Sequence, residues 1–365
     1  MTIDTSKSLR EHLQWAIRVE LSTIPAYLYA MYSIDDDASV PYRLIRSVVV
    51  EEMLHAALVA NVLAAVGGEP QFYDEAVVPS YPMALPHHRP EIVLDLERAS
   101  PEVIDRVFAT IERPREVGGL PEDDDYETIE QFYMAVEEAV DRLDAEAGLF
   151  EADRIDRQMA EPEYYAPVEY DSEESGGLHP VTDWETAARA IETIVHQGEG
   201  YREAEYADPD HHEQTHYYKF KQIADGTHSL GGTRPVPTNP LSAEYPARLR
   251  PAADLFNACY SYLYVLLDGL YSPVDAETKD DIVLELYGVM MAAMRPLARW
   301  LTEQPLGDVD GTGDTDGHAA PTFEFYRFDG DPTEELHRLA DEVTDRNPEL
   351  AHVHGALVQL RGVDR

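Results

Sequence analysis

The chain has 365 residues and a formal net charge of −43, from 71 acidic against 28 basic side chains, of which only Lys7, Lys219, Lys221 and Lys279 are lysine. Tracking along nucleic-acid phosphates or docking on an anionic membrane needs clustered positive charge, so both partner classes are disfavoured. Surplus carboxylate with so little lysine suits a cytosol crowded with salt, a halophilic setting where screening removes most self-repulsion, with an ordinary acidic protein as the alternative.

Cys259 is the single cysteine, which leaves no internal disulfide and no cysteine cluster for zinc, and a reducing cytoplasm is the expected location. Residues Met1 to Arg10 hold no apolar signal core. No stretch reaches the roughly 18 uncharged apolar residues of a membrane span.

Along the chain, Leu9, Leu13, Ala16, Ile17, Leu21 and Ile24 fall at helical spacing, and Ser8 with Glu11 forms a capping box for that first helix. A second helix runs from about Pro41 to Val66 and stops at Gly67-Gly68. Residues 70–92 are rich in proline and aromatics without periodicity and read as an ordered surface loop. Ser100-Pro101-Glu102 starts a short helix to Ile111, followed by a loop with the solvated acidic run Glu122 to Asp125. Capping boxes at Thr128/Gln131 and Thr182/Glu185 open a third and a fourth long helix. Four amphipathic helices with long connections predict an all-α four-helix bundle over 1–230. After the Gly/Pro-rich stretch Gly226 to Pro240, helical patterning resumes at about 247–271, 280–304 and 332–343, giving a C-terminal helical extension over 231–365 packed on the bundle. Residues 307–317 alternate Asp and Gly, but a calcium loop starting at Asp308 would place Ala319 where a bidentate Glu is needed, so they read as an acidic linker.

The informative residues are acids on apolar faces. At about 100° per residue, Glu20 lies within the arc of Leu13, Ala16, Ile17 and Ile24. In the second helix Glu52 and His55 lie inside the arc of Leu44, Val48, Val59 and Val62, with Glu51 at its edge. Glu-x-x-His aimed inward from a helix is the ligand unit of carboxylate-bridged di-iron and di-manganese bundles, since both side chains converge on one ion. The fourth helix offers Glu199, with Arg202 where a histidine is expected. The next inward histidine is His216, so the second Glu-x-x-His reads as split between Glu199 and His216. In the third helix Gln131 is taken by capping and Glu138 points out, leaving Glu137 beside Tyr133 as the best carboxylate. Tyr27, Tyr29 and Tyr133 read as core or hydrogen-bonding residues. The candidate metal ligands are therefore Glu20, Glu52, His55, Glu137, Glu199 and His216, and hard oxygens plus imidazole suit iron or manganese. A buried polar network without metal is the structural alternative. His212-Glu213-Gln214-Thr215-His216 also matches the H-E-x-x-H pattern of zinc hydrolases, though Asp208-Pro209-Asp210 before it is loop-like and no third histidine follows.

Glu20-Leu-Ser-Thr-Ile-Pro-Ala-Tyr-Leu28, Glu51-Glu-Met-Leu-His55, Thr128-Ile-Glu-Gln-Phe-Tyr133, Gln197-Gly-Glu-Gly200 and His216-Tyr-Tyr-Lys-Phe220 resemble the ferritin-like family that includes the iminophenyl-pyruvate dimer synthase domains of violacein and rebeccamycin biosynthesis. The resemblance covers about the first 225 residues. It implies a ferritin-like bundle with a di-iron centre and oxidative chemistry on a small amino-acid-derived or imine substrate in secondary metabolism; Gln131 departs from the pattern where an acid can stand. An iron-binding or storage protein without organic substrate is the alternative. Substrate, metal identity and oligomeric state stay open, a homo-oligomer included.

Overall fold

The structure is a computed structural model that describes residues 3–114, 126–150, 154–165, 177–198, 214–307 and 317–362. Helix α1 is Ser6–Ser33 and α2 is Val40–Ala65. The N-cap of α1 is Thr5, not Ser8: Thr5 is extended and its hydroxyl accepts from the Ser8 amide at 3.1 Å, which puts Ser8 inside the first turn. Ser39 caps α2, Pro41 sits in its first turn, and Gly67 ends it with φ +78°, a conformation glycine adopts without strain.

The short helix α3 runs Pro101–Val103, then a π turn over Ile104–Phe108, then Ala109–Ile111, with Glu112 as its C-cap. Helix α4, Ile129–Ala147, begins at Thr128, whose hydroxyl accepts from the Gln131 amide. Helix α5 is Trp184–Gly198, and its cap is shifted by one residue from the expectation. The Asp183 carboxylate accepts from the Thr186 amide at 2.9 Å, an ionised acceptor at the positive helix end in place of the Thr182 hydroxyl. Helix α6 is His216–Ala224.

Helix α1 packs on α2, α2 on α5, α5 on α4 and α4 back on α1, which closes the four-helix bundle; α6 packs on α2 and α3. Leu13, Ile17, Ile45, Val48, Leu58 and Val62 are all but inaccessible to solvent, each contributing about 1.5–3 kcal/mol by burial. The loop after α2 is ordered, as expected. It contains a two-residue hairpin, β1 Met83–Ala84 against β2 Val93–Leu94, and Tyr81 donates its hydroxyl to the Ser22 carbonyl at 2.6 Å.

The C-terminal region holds α7 Arg250–Leu270, α8 Ala276–Gly288 continuing through a π turn Val289–Met294 into Arg295–Glu303, α9 Pro332–Arg346, and a short α10, Ala351–Leu357, that the periodicity does not reveal. Helix α7 packs on α8 and α9, and the Arg295–Glu303 segment packs on α1. An extended strap after residue 318 is held to α7 where Asn257 donates to Thr322 at 2.7 Å and Ser261 accepts from the Tyr326 amide. Most of the acidic stretch 307–317 lies outside the described residues.

Helix α2 is long and apolar enough to cross a membrane, but 83% of its most apolar window is buried inside the protein, and it carries Glu51, Glu52 and His55 in that interior. Its apolar surface is matched by neighbouring helices, as in a core helix.

Candidate metal centre

Four of the six residues singled out by periodicity meet at one point. Glu20 from α1, Glu52 and His55 from α2, and His216 from the start of α6 are all at most 3% exposed, and Glu112 from the end of α3 joins them at 2%. They form two trios, Glu20/Glu52/His55 and Glu52/Glu112/His216, each with its donor atoms within 4.8 Å of one another and Glu52 common to both. A carboxylate has two oxygens, so one residue in two trios can bridge two ions.

The histidines are set by partners outside the trios. His55 Nε2 meets Gln197 Oε1 at 2.9 Å, which leaves Nδ1 facing inward, 3.5 Å from Glu20 and 4.0 Å from Glu52. His216 Nε2 meets Glu51 Oε2 at 2.8 Å, and Lys219 Nζ grips both oxygens of that carboxylate at 2.5 and 2.8 Å. His216 Nδ1 then points inward, 3.0 Å from Glu52 and 3.4 Å from Glu112, a buried nitrogen that makes no hydrogen bond of good geometry. An outer partner on one ring nitrogen fixes the ring and presents the other to a metal. Tyrosines orient the carboxylates: Tyr133 donates to Glu20 Oε1, and Tyr27 donates to Glu112 Oε1 at 2.6 Å. Tyr27 is wedged between Phe108 and Phe220, with ring centroids 4.6 and 5.0 Å away, so the π turn that carries Phe108 also sets the direction of Glu112.

Charge inside the cluster is unbalanced. Burial resists ionisation of Glu51, but Lys219 and His216 outweigh it and bring its carboxyl down to about 2. Burial likewise opposes ionisation of Glu20, and His55 overrides it and lowers its carboxyl. Glu52 goes the other way: burial, then the charge of Glu112 and of Glu20, push its carboxyl well above the usual range. Burial disfavours a charged His216, yet Glu112, Glu51 and Glu52 together raise the ring well above its ordinary value. Four buried carboxylates around one lysine and two imidazoles call for protons or cations. The donor set and the inward Nδ1 atoms therefore fit a pair of metal ions.

Glu137 does not join this group. It is half-buried on the flank of α4, and burial, then Glu192 and Asp141, raise its carboxyl. The inward position on α4 is taken by Tyr133, whose hydroxyl reaches Glu20, and the remaining carboxylate comes from the short helix instead. Glu199 lies outside the described residues, as do His212 and Glu213. Of the zinc-hydrolase motif the structure describes only Gln214, Thr215 and His216: Thr215 is extended with ψ 160° and His216 is the first residue of α6. Residues missed in the sequence are Glu112, Gln197, and Lys219 with Glu51. Ile104, Phe108 and Glu112 share i, i+4 spacing, which was the signal available for Glu112.

Compared with known proteins, residues 13–225 match the family model described as Ferritin-like. A crystal structure of a ferritin-like protein from Caulobacter vibrioides at 1.95 Å resolution is similar at 26% identity, covering 80% of this chain and 94% of that one, with a TM-score of 0.58. No curated protein matches the chain.

Proposed function

Since the chain belongs to the ferritin-like family, we propose that its buried cluster is a two-metal centre, iron or manganese, serving an oxidase or oxygenase that acts on a small amino-acid-derived or imine substrate. The observation that carries this reading is Glu52, shared by two donor trios whose histidines both turn Nδ1 inward. Glu20 and His55 would hold one ion, Glu112 and His216 the other, with Glu52 between them. Glu199 is proposed from the sequence as a further carboxylate.

A bound iron pair would supply the electrons to reduce oxygen while an organic molecule is oxidised. The chain's own residues do the rest. Gln197 and the Glu51–Lys219 pair hold the two imidazoles in one orientation, and Tyr27 and Tyr133 hold Glu112 and Glu20 in theirs. Burial, then the charges of Glu112 and Glu20, push the Glu52 carboxyl well above its usual range, and a cation held there would favour its ionised form, so loading would be accompanied by proton release. The enclosing side chains are almost wholly buried and keep bulk water from the donors.

Metal analysis of the purified chain tests this. About two iron or manganese ions per chain, lost in Glu52→Ala and in Glu52→Gln, are expected. A wild-type chain that takes up no transition metal from an anaerobic ferrous solution overturns the reading. We also propose a cytoplasmic, high-salt setting from the net charge of −43; the melting temperature is then expected to climb in molar potassium chloride.

A further inference from the structure

A second cavity lies between the bundle and the C-terminal helices, walled by α1 and α2 on one side and by α7 and α8 on the other, with a volume of about 500 Å³. That is within the range of sites that enclose small organic ligands, roughly 300–1,000 Å³. Its wall is almost entirely apolar. Six of the nine methionines in the chain face it, among them Met31, Met53, Met290 and Met294, and such unbranched side chains adapt to an irregular or flexible occupant.

The charged part of the wall is one-sided. Among the described residues, the only ionisable lining groups besides tyrosines are Arg46 and Arg295, in a protein where acids outnumber bases by more than two to one. They belong to one end. Arg46 is one helical turn from Tyr42, and Tyr42, Tyr32 and Arg295 are shared with a small polar pocket whose other charged residues are Asp35, Asp37, Arg234 and Arg299. Asp37 faces Arg299 more closely than Arg295, from which it stands 3.7 Å. The cavity thus runs from a greasy interior to an end with two guanidinium groups and two phenols.

We propose that this cavity binds a single-chain amphiphile with an anionic head, a long-chain carboxylate, its tail among the methionines and its head at Arg46 and Arg295. Guanidinium groups receive a carboxylate through paired N–H donors, while the apolar wall rewards chain length. The proposal stands apart from the metal reading: its lining contains none of the metal-centre residues, although Leu21 and Met53 directly follow Glu20 and Glu52 in the chain.

The test is calorimetric titration of the full chain with octanoate, decanoate and dodecanoate below their micelle concentrations, and with dodecanol. One carboxylate per chain is expected, tightening about fourfold per added methylene until the cavity is filled. Dodecanol should bind at least about tenfold more weakly, and Arg295→Gln should weaken dodecanoate while leaving dodecanol unchanged. Leu267→Trp, which fills the wall, should weaken dodecanoate by at least about tenfold with the helical circular dichroism intact. If that variant does not fold, the chain-length series and Arg295→Gln decide alone. No binding at any length, affinity independent of length, or dodecanol binding as tightly as dodecanoate would overturn the proposal.

Discussion

Helices α1 and α2 each present two interiors that differ in kind. One face carries Glu20, Glu52 and His55 into a densely partnered polar cluster; the adjacent face, with Leu21, Met31 and Met53, looks into an apolar cavity. In the cluster, position is fixed by directional bonds, and nearly every donor is held by a second residue such as Gln197, Tyr133 or Glu51. At the cavity, hydrogen bonds such as Tyr271 to the Ala57 carbonyl and Tyr260 to Tyr264 hold the tyrosines, while the methionine and leucine wall takes its shape from packing of flexible side chains. The contrast teaches that burial alone does not mark function: the polar face is costly to bury unless its charges are balanced, whereas the apolar face is incompletely filled.

The largest expected effect breaks the polar side. Glu52→Ala should lower metal affinity by at least about a hundredfold, beyond the 10–100-fold typical of outer partners, measured by metal content after dialysis. In the metal-free protein, Glu52→Gln should raise the melting temperature, because it removes the cost that burial and the charges of Glu112 and Glu20 place on ionising that side chain in the folded state. A merely structural polar network predicts the opposite sign. Next, Lys219→Met should weaken metal binding roughly 10–100-fold without altering the trios, since the lysine acts on His216 through Glu51.

A pair of truncations sharpens the difference between the two faces. Leu58→Ala in the filled core of α2 should cost about 2–5 kcal/mol in denaturant unfolding. Leu267→Ala, in the cavity wall of α7, should cost only about 1 kcal/mol, because much of its surface already lacks partners. Equal costs would mean that the cavity is filled in solution.

The smallest effect concerns pH. Lys279 donates to the Gln158 carbonyl at 2.6 Å, and burial, only partly offset by Asp156, lowers its ammonium to about 8. Between that value and the ordinary 10.5 the unfolded chain binds the extra proton, so this residue's contribution to stability rises with pH across the interval. Lys279→Met should flatten that rise relative to the wild type, as read from unfolding midpoints at pH 8, 9 and 10.

Much of this was legible in advance, and the exceptions share a cause. Glu20, Glu52 and His55 could be read from helical periodicity because each sits within a long regular helix whose apolar arc is defined by many neighbours. His216 was legible from the spacing of Phe220 and Ile223 after it. Glu112 was passed over because it ends a short helix interrupted by a π turn, where a periodic arc of few residues points less sharply. Expecting the missing acid on α4 placed Glu137 in the ligand set, while the structure leaves that residue half-buried outside the two trios and gives the inward position to Tyr133.

The amino-acid sequence by itself determined the all-α character, the four bundle helices, and which faces of α1 and α2 carry buried acid, since periodicity and capping act within one segment. Only the tertiary structure decided that Glu52 belongs to two trios, that Glu51 and Lys219 stand behind His216, and that the C-terminal helices leave a cavity against the bundle. Within the cluster those relations join residues up to 168 positions apart, and distance in space between separate helices is fixed by packing, which no local pattern encodes.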